Sequence, residues 1–227
     1  MYRYETHLHT SPVSACATAG VRESLLAYRE LGYDGVFITN HFLGGNICRD
    51  VRTLPYREQL EYYYSAYLEA KAMEREIGIK VFFGIEMGYK NTDFLVYGLG
   101  IDWYMAHPEI MEMKKSDEMK LMRSEGALIV HAHPFREAQF IDHIRLYPRD
   151  VDAVEVLNCS RTDMENRMAE LYAEHYGLIR FGGTDNHAAG GRTSFGGVEL
   201  EHPILDEGDF VARVMRGEAK PFMMLRE

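Results

Sequence analysis

Short apolar runs alternate with segments of helical periodicity along most of this chain, and this alternation restricts the possible folds more than any other feature. Apolar runs separated by helical segments are typical of parallel strand–helix–strand units. Parallel strands that are buried on both faces read as nearly continuous apolar runs. The predicted strands cover roughly residues 4–9, 35–39, 80–85, 93–99, 127–130, 152–157 and 179–183. The sequence therefore predicts an α/β protein.

Helical segments separate most of these strands. The predicted helices cover roughly residues 21–31, 56–77, 104–114, 116–125, 163–176 and 206–216. Seven strands connected in this way favour a parallel barrel over an open sheet. No linker, low-complexity tract or repeat interrupts the pattern, and 227 residues fit one barrel. We therefore expect a single domain over residues 1–227.

The C-terminal ends of the predicted strands carry side chains of the types that commonly bind metal ions. These side chains are, in chain order, His9, His41, Glu86, His133 and Asp185. In a parallel barrel the C-terminal strand ends meet at one rim, where active sites are built. We therefore expect residues that are far apart in the sequence to converge at one site.

Pairs of ligand-type residues at i and i+2 strengthen this expectation. His7 and His9 lie on one face of the first strand because side chains alternate along a strand. Neutral imidazole is the commonest protein ligand for transition metals. The same spacing recurs in His131-Ala132-His133 and in Asp185-Asn186-His187. Three such pairs predict a metal centre.

Charge and cysteine content exclude several classes of protein. The net charge of −10 argues against non-specific binding to nucleic acids or anionic membranes, which need a basic surface. Cys16, Cys48 and Cys159 are widely spaced and odd in number, which indicates a reducing compartment rather than a disulfide framework. The chain has no signal-peptide pattern and no run approaching about 18 apolar residues. We expect a cytoplasmic protein without a nucleic-acid or membrane partner.

Five short motifs resemble, in the same order, those of the PHP family, the polymerase and histidinol phosphatase domain. They are His7-Leu8-His9-Thr10, Thr39-Asn40-His41, Gly84-Ile85-Glu86, His133-Pro134 and Thr184-Asp185-Asn186-His187. The resemblance covers nearly the whole chain. It implies a distorted seven-stranded (β/α)7 TIM-like barrel with two or three divalent metal ions at its rim. Mixed histidine and carboxylate ligands suit Zn, Mn or Fe.

The resemblance also implies how the ligands are shared among the ions. The expected sets are His7, His9, Glu86 and Asp185 for the first ion, Glu86 and His133 for the second, and His41 and His187 for a third. A carboxylate can bridge two ions, which explains why Glu86 belongs to two sets.

Several positions depart from the family pattern or have no assigned role. Asn40 stands where the family usually has Asp, so a carboxylate that supports the site is missing. Asp93 stands where a histidine usually follows Glu86, and we hypothesise that it is an oxygen ligand of the second ion. Trinuclear members often have a histidine where this chain offers only Ser14 and Cys16. His131 either orients a neighbouring ligand or is a core histidine.

The expected chemistry is phosphoryl hydrolysis. Two divalent ions side by side can activate a hydroxide for in-line attack on phosphorus. Phosphate binding is expected to involve arginine, whose planar fork matches phosphate geometry, and the candidates are Arg136, Arg161 and Arg192. His41 or His187 is expected to protonate the leaving group if it is not fully bound to metal.

The leading hypothesis is therefore a metal-dependent phosphoesterase that acts on a small phosphomonoester such as histidinol phosphate. One alternative is a non-catalytic metal-binding PHP module, although the complete ligand set weighs against it. Another is an amidohydrolase-type C–N hydrolase, because amidohydrolases also carry His-x-His on a first barrel strand. The His133-Pro134 motif and the Asp185/His187 pair favour the phosphoesterase.

Overall fold

The computed structural model describes residues 1–226, which form α-helices and a single sheet. The helices are α1 (Val21–Glu30), α2 (Tyr56–Ile77), α3 (Ile101–Ala106), α4 (Lys115–Ser124), α5 (Asp163–Tyr176) and α6 (Glu207–Met215). The strands are β1 (Tyr2–Leu8), β2 (Gly35–Ile38), β3 (Lys80–Tyr89), β4 (Thr92–Tyr97), β5 (Leu128–Ala132), β6 (Ala153–Asn158), β7 (Ile179–Gly183), β8 (Ser194–Leu200) and β9 (Lys220–Leu225).

The sheet curls into a nearly closed barrel. Its strand order is β7-β6-β5-β4-β3-β2-β1-β8-β9, so the first seven strands follow one another in space as they do in the chain. The segment after β7 returns to β1, because the His9 amide donates to the Asn186 carbonyl at 2.9 Å and the Asn186 amide donates to the His7 carbonyl at 3.2 Å. The predicted barrel-like α/β class is confirmed.

The predicted number of seven strands is wrong, because β8 and β9 extend the sheet beyond β1 to nine strands. β8 pairs antiparallel with the beginning of β1, and β9 pairs antiparallel with β8. The glycines Gly196 and Gly197 weaken the strand pattern of β8 in the sequence. A Cβ atom on Gly197, whose φ is 152°, would lie 2.0 Å from the Tyr4 carbonyl oxygen. The close approach of β8 to β1 therefore requires glycine at this position.

The predicted parallel direction of the fourth strand is also wrong. β4 runs antiparallel to both β3 and β5. The two residues between β3 and β4, Lys90 and Asn91, both have positive φ angles, 49° and 64°. This is the backbone of a type I′ hairpin turn, which joins antiparallel strands. Because the chain reverses there, the beginning of β4, with Asp93, lies beside the end of β3.

Most helix boundaries follow local signals. α2 and α5 end at Gly78 and Gly177, both in the left-handed conformation, as their positions in the sequence predict. The predicted helix over 104–114 is wrong: α3 ends at Ala106, and a short 3₁₀ segment covers Pro108–Met111. Proline has no amide hydrogen to donate and clashes with the preceding helical turn. No helix within residues 1–226 is long and apolar enough to cross a lipid bilayer.

Aromatic side chains fill the interior of the barrel. The ring of Phe210 on α6 lies 4.4 Å from Phe37 and 5.4 Å from Tyr97, measured between ring centroids. All three side chains are buried. Tyr97 ends β4, and β4 begins beside the C-terminal end of β3. α6 therefore packs against the end of the barrel away from Asp93, and the end where the candidate ligands lie is left open.

Candidate metal centre

Glu86, at the rim end of β3, is the central side chain of the candidate site. It is 1% exposed, and the nitrogens of four imidazole rings surround its carboxylate. The distances to Oε1 are 3.1 Å from His7 Nε2 and 3.4 Å from His133 Nε2, and those to Oε2 are 3.4 Å from His9 Nε2 and 2.6 Å from His41 Nδ1. Each oxygen thus faces a different pair of histidines, which is the arrangement that a bridging carboxylate requires.

Asp185 approaches the same histidines from the loop after β7. Its Oδ1 atom lies 3.6 Å from Nε2 of both His7 and His9, and its Oδ2 atom lies 3.9 Å from His133 Nε2. The φ angle of Asp185 is 55°, a left-handed conformation that Asp tolerates better than most residues. A second ligand candidate, His133, also has a positive φ of 27°. Unusual backbone conformations thus coincide with predicted ligand positions.

Potential ligand atoms fall into three overlapping groups, each lying within 4.8 Å of one another. The groups are His7, His9 and Asp185; His7, Glu86 and His133; and His9, His41 and His187. These correspond closely to the three ion positions that the resemblance implies. The structure thus brings together seven of the eight predicted ligands, from segments between residues 7 and 187.

Hydrogen bonds fix the orientation of His7. Its Nδ1 atom lies 3.0 Å from Glu155 Oε1, and an ionised carboxylate can only accept a hydrogen bond. Nδ1 therefore carries a hydrogen, and Nε2 faces Glu86 and Asp185. The other oxygen of Glu155 accepts hydrogen bonds from the His133 amide and the Asn158 side chain. Carboxylates that hold metal-binding histidines in this way are typical of metal sites.

The sequence analysis did not identify Glu155 as a site residue, although the strand that carries it gives a signal. The residue lies in β6 between apolar neighbours, in the run Ala153-Val154-Glu155-Val156-Leu157. A charged side chain in a buried strand must find partners, so its presence there points to a polar site. Gly183 on β7 provides the space it occupies, because a Cβ atom there would lie 2.5 Å from Glu155 Oε1 and 2.6 Å from His7 Cβ.

A separate set of hydrogen bonds orients His9. Its Nδ1 atom lies 3.0 Å from the Ser14 hydroxyl oxygen, and that hydroxyl donates its hydrogen to Asn40 Oδ1 at 2.8 Å. Ser14 must therefore accept a hydrogen bond from Nδ1 of His9, which leaves Nε2 without a hydrogen. Asn40 also accepts from the Thr10 amide at 2.6 Å. The asparagine that departs from the family pattern thus supports His9 through Ser14.

The pKa values of the cluster reflect the close contact between its carboxylates and imidazoles. Burial opposes ionisation of Glu86, yet the imidazoles of His41, His7 and His9 hold its pKa well below the usual value. Burial likewise opposes protonation of His41, but Glu86 and Cys16 raise its pKa to about 10. Protons on the imidazoles thus neutralise the carboxylates in the metal-free protein, and divalent cations would replace them.

His9 shows directly that the donors suit a metal ion. Burial lowers its pKa well below the usual value, and the charge of His41 lowers it further. Its Nε2 atom is fully buried and has no hydrogen-bond partner within the described residues. Buried polar atoms without a partner are rare in proteins. An unprotonated nitrogen that faces Glu86 and Asp185 fits a divalent cation in the space between them.

Asp93 lies at the edge of this cluster. Its Oδ2 atom is 4.0 Å from His133 Nε2 and 3.7 Å from an Nη atom of Arg136. Burial raises its pKa, and the charge of Glu86 raises it further. Asp93 belongs to none of the three ligand groups found within residues 1–226. Its assignment as a metal ligand remains a hypothesis, and contact with Arg136 is the alternative role.

The three arginines predicted to bind substrate line one cavity with the metal-binding side chains. The cavity has a volume of about 640 Å³. Arg192 donates to the Ser160 hydroxyl at 2.5 Å, and this hydroxyl also contacts the carbonyl oxygens of Thr184 and Asp185. Arg161 follows Ser160 directly in the chain. Ser160, which the sequence analysis did not identify, therefore links Arg192 to the loop that carries Asp185.

His131 does not belong to the centre. It is fully buried, and its ring stacks on Phe94 with 5.0 Å between the ring centroids. Tyr147 and Tyr172 contact it edge-on. Burial, together with the charge of His133, lowers its pKa to about 3, so the ring is neutral. Of the two roles considered for His131, the structure supports the core histidine.

Comparison of the sequence with known proteins finds neither a matching family model nor a matching curated protein. Comparison of the structure finds clear relatives of the fold. A two-domain protein from Bacteroides vulgatus, containing a predicted PHP-like metal-dependent phosphoesterase, matches with a TM-score of 0.69 and 12% identity. The alignment covers 97% of this chain and 64% of that protein, so the chain spans less than two thirds of its length.

Two smaller proteins also match. A candidate metal-dependent phosphoesterase from Bifidobacterium adolescentis matches over 95% of this chain and 96% of its own, with 15% identity and a TM-score of 0.56. An amidohydrolase from Chromobacterium violaceum, whose structure contains sulfate, matches over 83% of this chain and 88% of its own, with 13% identity and a TM-score of 0.52. The chain thus has the fold found in PHP-like proteins, and its resemblance to them extends from short motifs to the whole barrel.

Proposed function

We propose that the protein is a metal-dependent phosphoesterase that hydrolyses a small phosphomonoester. The position of Glu86 is the observation that carries this proposal. Its two carboxylate oxygens face different pairs of histidines, and Asp185 lies against three of the same rings. Two divalent ions of the Zn, Mn or Fe type would share such a carboxylate, and a third would lie near His41 and His187.

When bound, neighbouring divalent ions supply a strong water-derived nucleophile at neutral pH and neutralise charge on the phosphoryl group. The protein supplies orientation. Glu155 holds His7, and Ser14 holds His9, so that both Nε2 atoms point toward Glu86 and Asp185. These fixed orientations keep the donor atoms in place before substrate binds, which favours catalysis by preorganised charge.

Arginine side chains would bind the phosphoryl oxygens that the ions do not reach. The Nε atoms of Arg136, Arg161 and Arg192 are buried and have no hydrogen-bond partner within the described residues. All three residues line the cavity that also contains Glu86, Asp93 and Asp185. A guanidinium group with unused donors in such a cavity favours an oxyanion ligand. The related amidohydrolase from Chromobacterium violaceum binds sulfate, a tetrahedral oxyanion like phosphate.

Protonation of the leaving group is assigned to a rim histidine. His187 has a 30% exposed side chain, whereas the His41 side chain is 13% exposed. Nδ1 of His187 lies 3.1 Å from the carbonyl oxygen of Asp185, which can only accept a hydrogen bond. Where no ion occupies the third position, His187 is therefore the better placed of the two to face a leaving group in the cavity, with His41 as the second candidate, because a ring that binds the third ion cannot also donate a proton.

The direct experiment measures metal content by elemental analysis together with phosphate release from p-nitrophenyl phosphate. We expect two or three ions per chain and activity that a chelator removes and added metal restores. Asp185→Asn should lower kcat by more than about 10²-fold, because it removes a negative charge that faces the rings of His7, His9 and His133. Asn tolerates a left-handed backbone, so this variant should fold. Asp117→Asn, on the exposed surface of α4, is the matched control.

Assays of the same wild-type and variant proteins also distinguish two alternative functions. A C–N hydrolase is favoured by the structural match to an amidohydrolase, and it would release ammonia or an amine rather than phosphate. A non-catalytic module would bind metal without turnover of either class of substrate. Full activity in both His9→Ala and Asp185→Asn would contradict every catalytic role given to the metal centre.

A further inference from the structure

We propose that the thiolate of Cys16 is a ligand of the third divalent cation, together with His41 and His187. This inference rests on the metal centre proposed above and adds a ligand to it. Cys16, His41 and His187 line the same cavity. The thiol lies close enough to both rings for side-chain interactions with each of them. The exposed Cys16 thus lies beside His41 and His187, which are both partly exposed.

The backbone around Cys16 holds it in this position. The amide of Ala15 donates to the Asn46 carbonyl at 2.9 Å, and the amide of Ala17 donates to the Ser14 carbonyl at 3.0 Å. The amide of Thr18 donates to the carbonyl of His187 at 2.8 Å, which joins this loop directly to the segment that carries His187. Cys16 therefore sits between two anchored neighbours, and its distance from His187 depends on a direct backbone contact.

His9 borders the same space and shows that it is lined by potential ligand atoms. Its Nε2 atom is buried and unpartnered, and ligand atoms of His9, His41 and His187 lie within 4.8 Å of one another. The ring centroids of His9 and His187 are only 4.2 Å apart. Three imidazoles offer no negative charge of their own, and the carboxylates that face them, Glu86 and Asp185, also face His7 and His133. A thiolate would add a negative charge that belongs to the third position alone.

The chemistry of sulfur makes a specific prediction about the metal. Thiolate is a soft ligand that favours zinc and related ions, whereas manganese favours oxygen ligands. Zinc is commonly bound by cysteine and histidine together. The third position should therefore prefer Zn²⁺ or Co²⁺ over Mn²⁺ more strongly than the two positions with carboxylate ligands do.

Cobalt reports the sulfur ligand directly, because thiolate-bound Co²⁺ has a charge-transfer absorption in the near ultraviolet. Metal-free protein is titrated with Co²⁺, and bound metal is then counted by elemental analysis. We expect the absorption in the wild type and in Cys48→Ser, a control cysteine outside the cavity lining. Cys16→Ser should lose the absorption and about one ion per chain. Cys16→His should keep the ion without the absorption, which separates loss of a ligand from loss of the fold.

Alkylation gives a second measurement that does not depend on the absorption spectrum. Cys16 is exposed, so iodoacetamide should modify it in protein stripped of metal, and prior addition of Zn²⁺ should protect it. Mn²⁺ should protect it much less. Peptide mapping distinguishes Cys16 from Cys48 and Cys159.

The outcomes separate this inference from the proposed function. Wild-type protein that binds Co²⁺ without the sulfur absorption, or a Cys16→Ser variant with unchanged spectrum and metal content, overturns the thiolate ligand and leaves the phosphoesterase untouched. A sulfur absorption in a protein that releases no phosphate supports Cys16 as a ligand and counts against the phosphoesterase. Equal protection of Cys16 by Zn²⁺ and Mn²⁺ contradicts the stated metal preference.

Discussion

His7 Nδ1 lies 3.0 Å from Glu155 Oε1, and this contact joins β1 to β6 beside the candidate metal centre. Both side chains are fully buried. Burial disfavours a charged His7, yet the charges of Glu155, Asp185 and Glu86 raise its pKa well above the usual value. Glu155 thus influences both the direction and the basicity of the imidazole without being a proposed ligand itself.

Glu155→Gln should lower metal affinity about 10–100-fold, the range measured when such supporting groups are removed. The amide can still fill the space, but it no longer provides a negative charge for Nδ1 of His7. Competition with a fluorescent chelator measures the change in affinity. Glu174→Gln, at an exposed position of α5, controls for the loss of one negative charge. Unchanged affinity in the Glu155 variant would contradict the supporting role.

Gly183→Ala should destabilise the protein and disturb the centre at the same time. The added methyl group would meet Glu155 Oε1 at 2.5 Å and His7 Cβ at 2.6 Å, both in buried surroundings. Overpacking of this kind costs about 1–3 kcal/mol. Urea denaturation with and without metal measures the loss. Gly190→Ala is the matched control, because a Cβ atom there has no neighbour within 4 Å.

Metal affinity should rise with pH between about pH 6 and 9, and binding should release protons. The pKa of His41 is raised to about 10, so this ring carries a proton in the metal-free protein at neutral pH. Burial opposes protonation of His133, but Glu86 and Asp185 raise its pKa as well. A cation must displace these protons, and fewer remain to be displaced as the pH rises. Calorimetry in buffers with different ionisation enthalpies counts the released protons, and a count of zero at pH 7 would contradict this expectation.

Arg192→Ala should raise KM for a phosphomonoester about tenfold, in line with the loss of a charge-assisted hydrogen bond, while metal content stays unchanged. The reason is that Arg192 lines the cavity and contacts Ser160 and the Thr184 carbonyl, but no predicted ligand side chain. Arg192→Lys should restore little, because lysine lacks the planar fork. Arg180→Ala, an arginine that pairs with Glu170 on the surface, is the control. A lower metal content in Arg192→Ala would assign this residue to the structure of the centre instead.

The sequence alone was sufficient to predict the barrel class and the convergence of most candidate ligands. The reason is local: apolar periodicity marks strands, and a polar residue directly after a strand lies at its end whatever the rest of the chain does. His9, Glu86, His133 and Asp185 were predicted in this way, whereas His7 was predicted from its i, i+2 spacing to His9 on one face of the first strand. Their meeting at one rim follows from the parallel direction of most strands.

Tertiary structure decided the features that depend on pairs of distant segments. The turn at Lys90 and Asn91 reverses β4 and brings Asp93 to the rim. In a parallel strand this residue would lie at the opposite end, and only the family resemblance suggested its role as a ligand. The closeness of Cys16 to His187 depends on a backbone contact between two loops far apart in sequence. The role of Glu155 requires both β1 and the absence of a side chain at Gly183. Periodicity reports which face a residue occupies, but it carries no information about which distant residue fills the space opposite.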